Sequence, residues 1–230
     1  MKLLVLGGTG FVGRAVCREA VRRGWNVTSL SRRGVPESMD GLLEKVEWRT
    51  GSALDRKVYP ELMSDRDYVV HCIGTLFESN PVYNLYKKQP INYESSYKAL
   101  IRDTLELAVE SAASAKVKAF GYVSAARYGA IGKTVLPGYM EMKGQAEELL
   151  LKRNEFRKVI MRPGFMYGSD RWATIPMSLG VTFTSLFTAG MMPKALCVDT
   201  VARALLTELN DSETESSTME VSDIARIGSL

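Results

Sequence analysis

The chain has 230 residues, 46% of them hydrophobic, which is enough for one domain with a large core and at most a small appended lobe. Its net charge of +4 is mild, and no basic stripe with interleaved aromatic residues occurs, which argues against a nucleic-acid partner. The three cysteines, at positions 17, 72 and 197, are odd in number and far apart, so we expect a reducing compartment without a disulfide framework or a metal site.

Predicted strands and helices alternate along the chain, a pattern that favours a doubly wound α/β fold with a parallel sheet covered on both faces. Leu149, Leu150 and Leu151 are expected to supply the apolar face of the fourth helix, and a weak last strand is expected at 219–221. The strands are predicted at residues 2–6, 26–31, 46–49, 68–73, 119–124 and 158–162, and the helices at 10–23, 57–63, 91–114, 139–152 and 200–210.

The first strand leads directly into a glycine-rich turn, Gly7-Gly8-Thr9-Gly10-Phe11-Val12-Gly13, which is followed by a helix. In this context Gly7 permits a tight turn, Gly10 lets the backbone approach a pyrophosphate, and Gly13 lets the helix pack close to the strand. The N-terminus of the helix then presents N–H groups to the phosphates. The turn therefore predicts a dinucleotide site, with a purely structural glycine turn as the alternative.

The second strand ends in Ser31-Arg32-Arg33, at the position that contacts the adenosine ribose in dinucleotide sites. No acidic residue is present there to bond a 2′-hydroxyl, and two guanidinium groups can bind a 2′-phosphate. The pattern therefore predicts NADP(H) rather than NAD(H). The alternative is that one or both arginines only solvate a surface turn.

The third and fourth strands are each followed by residues that suit the same site. Ala53 and Leu54, within the segment 51–55, are expected against the adenine, and Ile73 and Gly74 are expected where the cofactor backbone passes. His71 is the only histidine, and we expect it to be a hydrogen-bonded core residue.

Tyr139 and Lys143 are four residues apart on a predicted helix, so they share one face. Ser124 ends the fifth strand, where open α/β sheets place their ligands. A tyrosine can exchange a proton with a reacting oxygen when a nearby ammonium lowers its pKa, and a serine hydroxyl can hold that oxygen. The trio therefore predicts carbonyl–alcohol redox catalysis, the alternative for Tyr139 being a surface tyrosine at a helix start.

These segments together resemble the short-chain dehydrogenase/reductase superfamily in its extended or atypical branch, over about residues 1–170 and more weakly over 197–209. The resemblance implies a single NAD(P)-binding Rossmann domain over residues 1–230, with a small inserted apolar lobe over 165–197. It also implies that Pro163 and Phe165 flank the nicotinamide and that Asn92 matches a structural or catalytic asparagine. Asp199 or Thr200 is expected to cap the last predicted helix.

A closer resemblance links the chain to the atypical mitochondrial subgroup of that superfamily, which includes a protein associated with the coenzyme Q biosynthetic complex and an accessory subunit of respiratory complex I. The matching segments include Val69-Val70-His71, Tyr122-x-Ser124-Ala125 and residues 159–166. The resemblance implies bound NADP(H), a place on the matrix side of the mitochondrial inner membrane and a link to ubiquinone biosynthesis. We expect no targeting segment within the chain, because the first strand begins at Lys2.

Three hypotheses follow. The first is an NADP(H)-dependent oxidoreductase acting on a lipophilic carbonyl or a quinone-like intermediate. The second is a non-catalytic NADPH-binding structural or regulatory subunit that docks on a protein complex or contacts a membrane peripherally. The third, weaker, hypothesis is a sensor of the NADPH/NADP⁺ ratio. Apolar residues of the expected lobe would line the substrate cleft, dock on a partner or simply pack on the sheet: Ile175, Met177, Phe183, Leu186, Phe187, Met191 and Met192.

Overall fold

A computed structural model describes residues 1–75, 93–127, 136–168, 195–213 and 215–229. Its main feature is a seven-stranded sheet in the order β3-β2-β1-β4-β5-β6-β9, with every neighbouring pair parallel. The strand order reverses between β1 and β4, which is the switch point where open α/β sheets bind ligands. The strands of this sheet are β1 Lys2–Leu6, β2 Asn26–Ser31, β3 Glu47–Thr50, β4 Tyr68–His71, β5 Ala119–Val123, β6 Arg157–Met161 and β9 Ser217–Met219.

Helices cover both faces of the sheet, which confirms the predicted doubly wound α/β class. Successive residues of β1 point to opposite faces, so Leu3 and Val5 join the core beneath α1, α5 and α6, while Leu4 and Leu6 join the core beneath α2, α3 and α4. The described helices are α1 Phe11–Arg22, α2 Tyr59–Met63, α3 Thr104–Ala115, α4 Pro137–Leu151, α5 Val198–Asn210 and α6 Val221–Gly228.

The continuous helix predicted over 91–114 was wrong in its first half. The described part begins with a 3₁₀ turn at Tyr93–Ser95 and a π-helical segment at Lys98–Asp103, and only then becomes α3. The Thr104 hydroxyl donates to the carbonyl of Leu100 at 2.9 Å, which gives that carbonyl a side-chain donor at the end of the π-helical segment. Leu100 and Thr104 consequently face the carboxyl edge of the sheet, beside the cleft described below.

Other differences lie near the carboxyl end of the chain. Of the three leucines expected on the apolar face of α4, only Leu150 is fully buried, because a helix turns by 100° per residue and carries its neighbours out of the interface. The N-cap predicted at Asp199 or Thr200 was wrong, since α5 begins two residues earlier with Cys197 as its N-cap. The last strand ends at Met219 rather than 221, and α6 was not predicted.

Candidate nucleotide and catalytic site

A cleft of about 510 Å³ opens at the carboxyl ends of β1, β2 and β4. It lies at the switch point of the sheet, so the topology alone makes it the expected ligand site. Most residues predicted to contact a cofactor line this cleft: Gly7, Thr9, Gly10, Ser31, Arg32, Arg33, Ala53, Leu54, Ile73 and Gly74. Their contact with a cofactor stays a prediction.

Three glycines of the turn, Gly7, Gly8 and Gly13, have no room for a side chain. Gly7 has φ +87°, which disfavours any other residue, and a Cβ on Gly13 would lie 2.2 Å from the Gly7 carbonyl oxygen. The Gly10 N–H donates to that same oxygen at 3.0 Å and closes the turn. The N-cap of α1 is Gly10, and within the described residues no side-chain hydrogen bond caps this end of the helix. The first turn of α1, formed by Phe11, Val12 and Gly13, therefore presents its backbone N–H groups beside the cleft.

The end of β2 combines a buried serine with two exposed arginines. Ser31 is buried and donates its hydroxyl to the Gly34 carbonyl at 3.1 Å, which holds the turn that follows the strand. Arg32 and Arg33 are exposed and line the cleft. Arg33 also pairs with Glu37 at 2.7 Å, a contact that sequence reasoning did not anticipate. The two guanidinium groups thus have different surroundings, because Arg33 has a carboxylate partner in the turn.

Five cleft residues were missed by sequence reasoning: Leu30, Cys72, Glu94, Leu100 and Thr104. Leu100 and Thr104 lie around the π-helical segment, which no periodicity in the sequence predicts. Thr104 also bonds Nε2 of His71 at 3.0 Å, so the expectation of a hydrogen-bonded core histidine is confirmed. His71 has no exposed surface, and burial, with the nearby Lys143, lowers its pKa to about 3.

Tyr139 and Lys143 stand one turn apart on α4, beside the cleft rather than among its lining residues. Tyr139 is half-buried, with its ring edge-on to Tyr97 at a centroid distance of 5.8 Å. The Lys143 Nζ lies 5.9 Å from the centre of the Tyr139 ring and 3.6 Å from the position a Cβ on Gly74 would occupy. The Lys143 ammonium therefore lies between the ring of the predicted catalytic tyrosine and the wall of the cleft at Gly74.

Lys143 is almost fully buried. Its Nζ donates to the Val123 carbonyl at 2.6 Å and sits 4.7 Å above the centre of the Tyr122 ring. Burial lowers the pKa of Lys143 to about 8, while the nearby Cys72 and Glu147 act in the opposite direction. The amine thus remains largely protonated at neutral pH, in a setting where its charge is poorly screened.

Ser124 follows β5 directly and is buried, and its hydroxyl donates to Oε1 of Glu147 at 2.5 Å. Glu147 lies on α4, one turn after Lys143, and is clamped by Arg162, whose Nε donates to Oε1 at 3.0 Å and whose Nη2 donates to Oε2. Burial would raise the pKa of Glu147, but the hydrogen bonds from Arg162 and Ser124 outweigh it and hold the pKa below its ordinary value. Sequence reasoning missed both Glu147 and its clamp.

The remaining predicted residues lie near β6 or outside the described chain. The carbonyl of Pro163 accepts from the N–H of Ala126 at 2.9 Å, and the carbonyl of Phe165 accepts from the N–H of Leu196 at 2.9 Å. Neither Pro163 nor Phe165 is among the cleft-lining residues in the described part of the chain. Asn92 lies outside the described residues.

Most of the expected apolar lobe also lies outside the described residues, including all seven apolar side chains assigned to it. The flanking segments pair as a short parallel ladder that was not predicted, β7 Met166–Tyr167 with β8 Leu196–Cys197. Within the described ranges, no three acidic, cysteine or histidine side chains gather as a metal site would require. None of the helices described is both long and apolar enough to span a bilayer.

Comparison with known proteins agrees with this geometry. A family model described as NAD(P)H-binding matches residues 7–212. MIOREX complex component 2 of Saccharomyces cerevisiae is 31% identical over 228 residues, covering 82% of this chain and 81% of the relative. The 4-hydroxy-2-methyl-3-oxo-4-farnesyl-3,4-dihydroquinoline-1-oxide ketoreductase of Stigmatella aurantiaca is 26% identical over 207 residues, which is 81% of this chain but 57% of the relative.

Solved structures support the fold. MoeE5 in complex with UDP-glucuronic acid and NAD superposes with a TM-score of 0.68 at 19% identity, over 96% of this chain and 76% of that one. At this identity the likeness speaks for the fold alone. The family match, which extends over most of the chain, carries the assignment: the chain belongs to the NAD(P)H-binding, short-chain dehydrogenase/reductase-like family of Rossmann-fold proteins.

Proposed function

We propose that the protein is an NADP(H)-dependent oxidoreductase acting on a lipophilic carbonyl or quinone-like substrate. The observation that carries this proposal is the position of Lys143, whose Nζ lies beside both the Tyr139 ring and Gly74 of the nucleotide cleft. A proton-transferring tyrosine, a cation that can lower its pKa and the wall of a nucleotide cleft are thereby close together. In this proposal residues 1–230 form a single NAD(P)-binding domain, and residues 165–197 supply the substrate or docking lobe.

The described residues fit a dinucleotide phosphate. A Cβ on Gly8 would lie 2.1 Å from Oγ of Ser29, and a Cβ on Gly13 would overlap the Gly7 carbonyl, so these glycines let the N-terminus of α1 pack directly against the turn and β2. That is the cradle a pyrophosphate requires. Arg32 and Arg33 would hold the 2′-phosphate, and Ala53 and Leu54 would pack against the adenine. Ile73 and Gly74 would contact the part of the cofactor that leads to the nicotinamide.

NADPH held by these cleft residues would supply the hydride that reduces the substrate carbon. Tyr139 then gives its phenolic proton to the substrate oxygen, which completes the alcohol. The Lys143 ammonium would stabilise the phenolate that remains at Tyr139. Because Lys143 is buried, its charge acts on Tyr139 through little solvent and is more effective than it would be at the surface.

The substrate and the cellular setting rest on resemblance. The Stigmatella relative is named a ketoreductase of a farnesylated quinoline oxide, a lipophilic carbonyl compound, which supports a substrate of that class. The resemblance to the atypical mitochondrial subgroup supports a place on the matrix side of the inner membrane and a role in ubiquinone biosynthesis.

A second candidate is a non-catalytic NADPH-binding subunit of a membrane-associated complex. It is favoured by the yeast relative, which is named as a component of a complex. The two candidates differ in what Tyr139 does. Hydride transfer that is lost in Tyr139→Phe supports the enzyme, whereas tight NADPH binding without turnover, unchanged in Tyr139→Phe, supports the subunit.

The first experiment is a titration of the purified protein with NADPH and with NADH, followed by nicotinamide fluorescence. Arg32→Ala is expected to weaken NADPH binding by about 1–3 kcal/mol, the range for a lost charge-assisted contact, and to leave NADH binding unchanged. Arg226→Ala, on α6 with a side chain 70% exposed, is a matched control that removes the same charge elsewhere. Equal weakening of both nucleotides by Arg32→Ala would contradict NADP(H) selectivity, and no binding of either would contradict the proposal as a whole.

A further inference from the structure

The hydroxyl proton of Ser124 already takes part in a hydrogen bond within the protein. It donates to Oε1 of Glu147 at 2.5 Å, and both residues have only 4% of their surface exposed. A serine hydroxyl carries one proton and two lone pairs. Once the proton is given to Glu147, the Ser124 oxygen has only lone pairs left for any other partner.

Glu147 is held in the form that can only accept. Arg162 donates two hydrogen bonds to its carboxylate, from Nε to Oε1 at 3.0 Å and from Nη2 to Oε2, and Arg127 lies 3.3 Å from Oε2. An ionised carboxylate has no proton to return to a serine. The direction of the Ser124 hydrogen bond is therefore set by two arginines and does not depend on what occupies the neighbouring site.

This pair belongs to the same place as the predicted catalytic residues. Tyr139, Lys143 and Glu147 are spaced by four residues on α4, so they share one face of the helix. Lys143 donates to the carbonyl of Val123, the residue that precedes Ser124, and so ties this face to the end of β5 at 2.6 Å. Val123 and Ser124, at the end of β5, are thereby held against the face of α4 that carries Tyr139 and Lys143.

We propose that Glu147 is a positioning residue that fixes Ser124 as a hydrogen-bond acceptor, so that the site recognises the hydroxyl-bearing form of its substrate pair, an alcohol or hydroquinone, better than the carbonyl form. A substrate hydroxyl can donate a hydrogen bond to a lone pair of the Ser124 oxygen, whereas a carbonyl oxygen has no proton to donate and forms no hydrogen bond with it. The inference rests on the proposed function and refines its substrate class.

The test uses an alcohol and a ketone of the same shape, 1-tetralol and 1-tetralone, in complexes that cannot react. Calorimetry measures 1-tetralol binding to the protein saturated with NADPH, and 1-tetralone binding to the protein saturated with NADP⁺. Ser124→Ala is expected to weaken 1-tetralol binding about three- to tenfold, the effect of one hydrogen bond, and to leave 1-tetralone within about twofold. Ser124→Thr keeps a hydroxyl and is expected to restore 1-tetralol binding.

Glu147→Gln provides the readout for positioning. Its amide can donate to Ser124 and free the serine proton, so the preference for 1-tetralol over 1-tetralone is expected to fall at least about threefold. A residue with a merely structural role would weaken both compounds alike. Should Glu147→Gln fail to fold because Arg162 keeps only Glu220 as a carboxylate partner, the Ser124 variants still test the acceptor role, since they leave the Glu147–Arg162 pair in place.

Several results would overturn the inference: equal weakening of both compounds by Ser124→Ala, a larger loss for 1-tetralone than for 1-tetralol, or binding of neither compound while NADPH still binds. The last result would leave the nucleotide site intact and remove only the hydroxyl subsite. Failure to bind NADPH itself would instead overturn the proposed function, so the two failures are distinguishable.

Discussion

The close packing of the glycine turn can be tested by comparing two helical glycines, Gly13 and Gly144, whose surroundings differ. Gly13 lies in the first turn of α1, where an added Cβ would be 2.2 Å from the Gly7 carbonyl oxygen and 2.7 Å from the Gly8 Cα. Both are backbone atoms at the start of the turn, so they cannot rotate away. Gly144 lies inside α4, and apart from its chain neighbours and the backbone of its own helix no described atom lies within 4 Å of the position its Cβ would take.

The two alanine substitutions should therefore change stability in opposite directions. Gly144→Ala is expected to raise the free energy of unfolding by about 0.5–1 kcal/mol, through helix propensity and a less flexible unfolded chain. Gly13→Ala gains the same helix propensity, but overpacking against the backbone is expected to lower its free energy of unfolding by about 1–3 kcal/mol. For a chain of this length we expect the two melting temperatures to differ by roughly 3–12 °C.

Thermal and urea unfolding of both variants measure this difference, and nicotinamide fluorescence measures NADPH binding in each. Gly13→Ala is also expected to bind NADPH more weakly, because relief of the clash must open the turn that would hold the pyrophosphate. Gly144→Ala should bind as the wild type does. If Gly13→Ala were as stable as Gly144→Ala and bound NADPH normally, the close packing of this turn would be refuted.

Three further predictions concern buried charges and a helix end. Burial holds the pKa of His71 near 3 in the folded state, whereas the histidine of the unfolded chain takes up a proton near pH 6.5. The free energy of unfolding should therefore fall as pH drops from about 6.5 toward 3, by up to about 5 kcal/mol. The pKa of Lys143 is lowered to about 8, so this lysine should contribute up to about 3 kcal/mol of stability as pH rises from about 8 to 10.5, because the unfolded chain retains the proton longer. Above about pH 9 the buried thiols of Cys17 and Cys72 act in the opposite direction, since burial raises their pKa values. Arg157→Ala should cost about 1.5–3 kcal/mol, since its guanidinium donates to the Glu208 and Leu209 carbonyls at the end of α5.

Urea unfolding at a series of pH values measures the first two effects, and single variants assign them. His71→Gln should flatten the acid side of the profile, an assignment made simple because the chain has one histidine. Lys143→Met should remove the lysine's contribution, so that the variant loses more stability than the wild type between about pH 8 and 10.5. An unchanged slope in either variant would contradict the stated cause. For Arg157, the control is Arg153→Ala, which removes a guanidinium whose Nη1 lies 3.6 Å from Glu155 and is expected to change stability far less.

Local spacing predicted the features that depend on neighbouring residues. The turn from Gly7 to Gly13 needs only a strand before it and a helix after it, and both are visible in the sequence. The relation of Tyr139 to Lys143 follows from helical periodicity alone. Strand bounds in the main sheet were predicted to within two residues. The central strands β1, β4 and β5 are largely apolar runs, as buried parallel strands are.

Features that depend on tertiary contacts were not predicted. Glu147 resembles any acidic residue on a helix until α4 docks on β5 and brings it to Ser124, 23 residues earlier in the chain. The π-helical segment before α3 was missed for a similar reason, since the hydroxyl of Thr104 bonds both the Leu100 carbonyl and His71 from another element. The pairing of Arg33 with Glu37 lies in a turn where periodicity carries no signal.

The clamp on Glu147 also bears on the charge at the predicted catalytic pair. A bare carboxylate one turn from Lys143 would raise the pKa of the lysine and oppose the formation of a phenolate at Tyr139. Arg162 donates to both oxygens of that carboxylate, so its charge is balanced within hydrogen-bond distance. The arginine that holds Glu147 as the acceptor of the Ser124 hydroxyl therefore also offsets the negative charge beside the predicted catalytic pair.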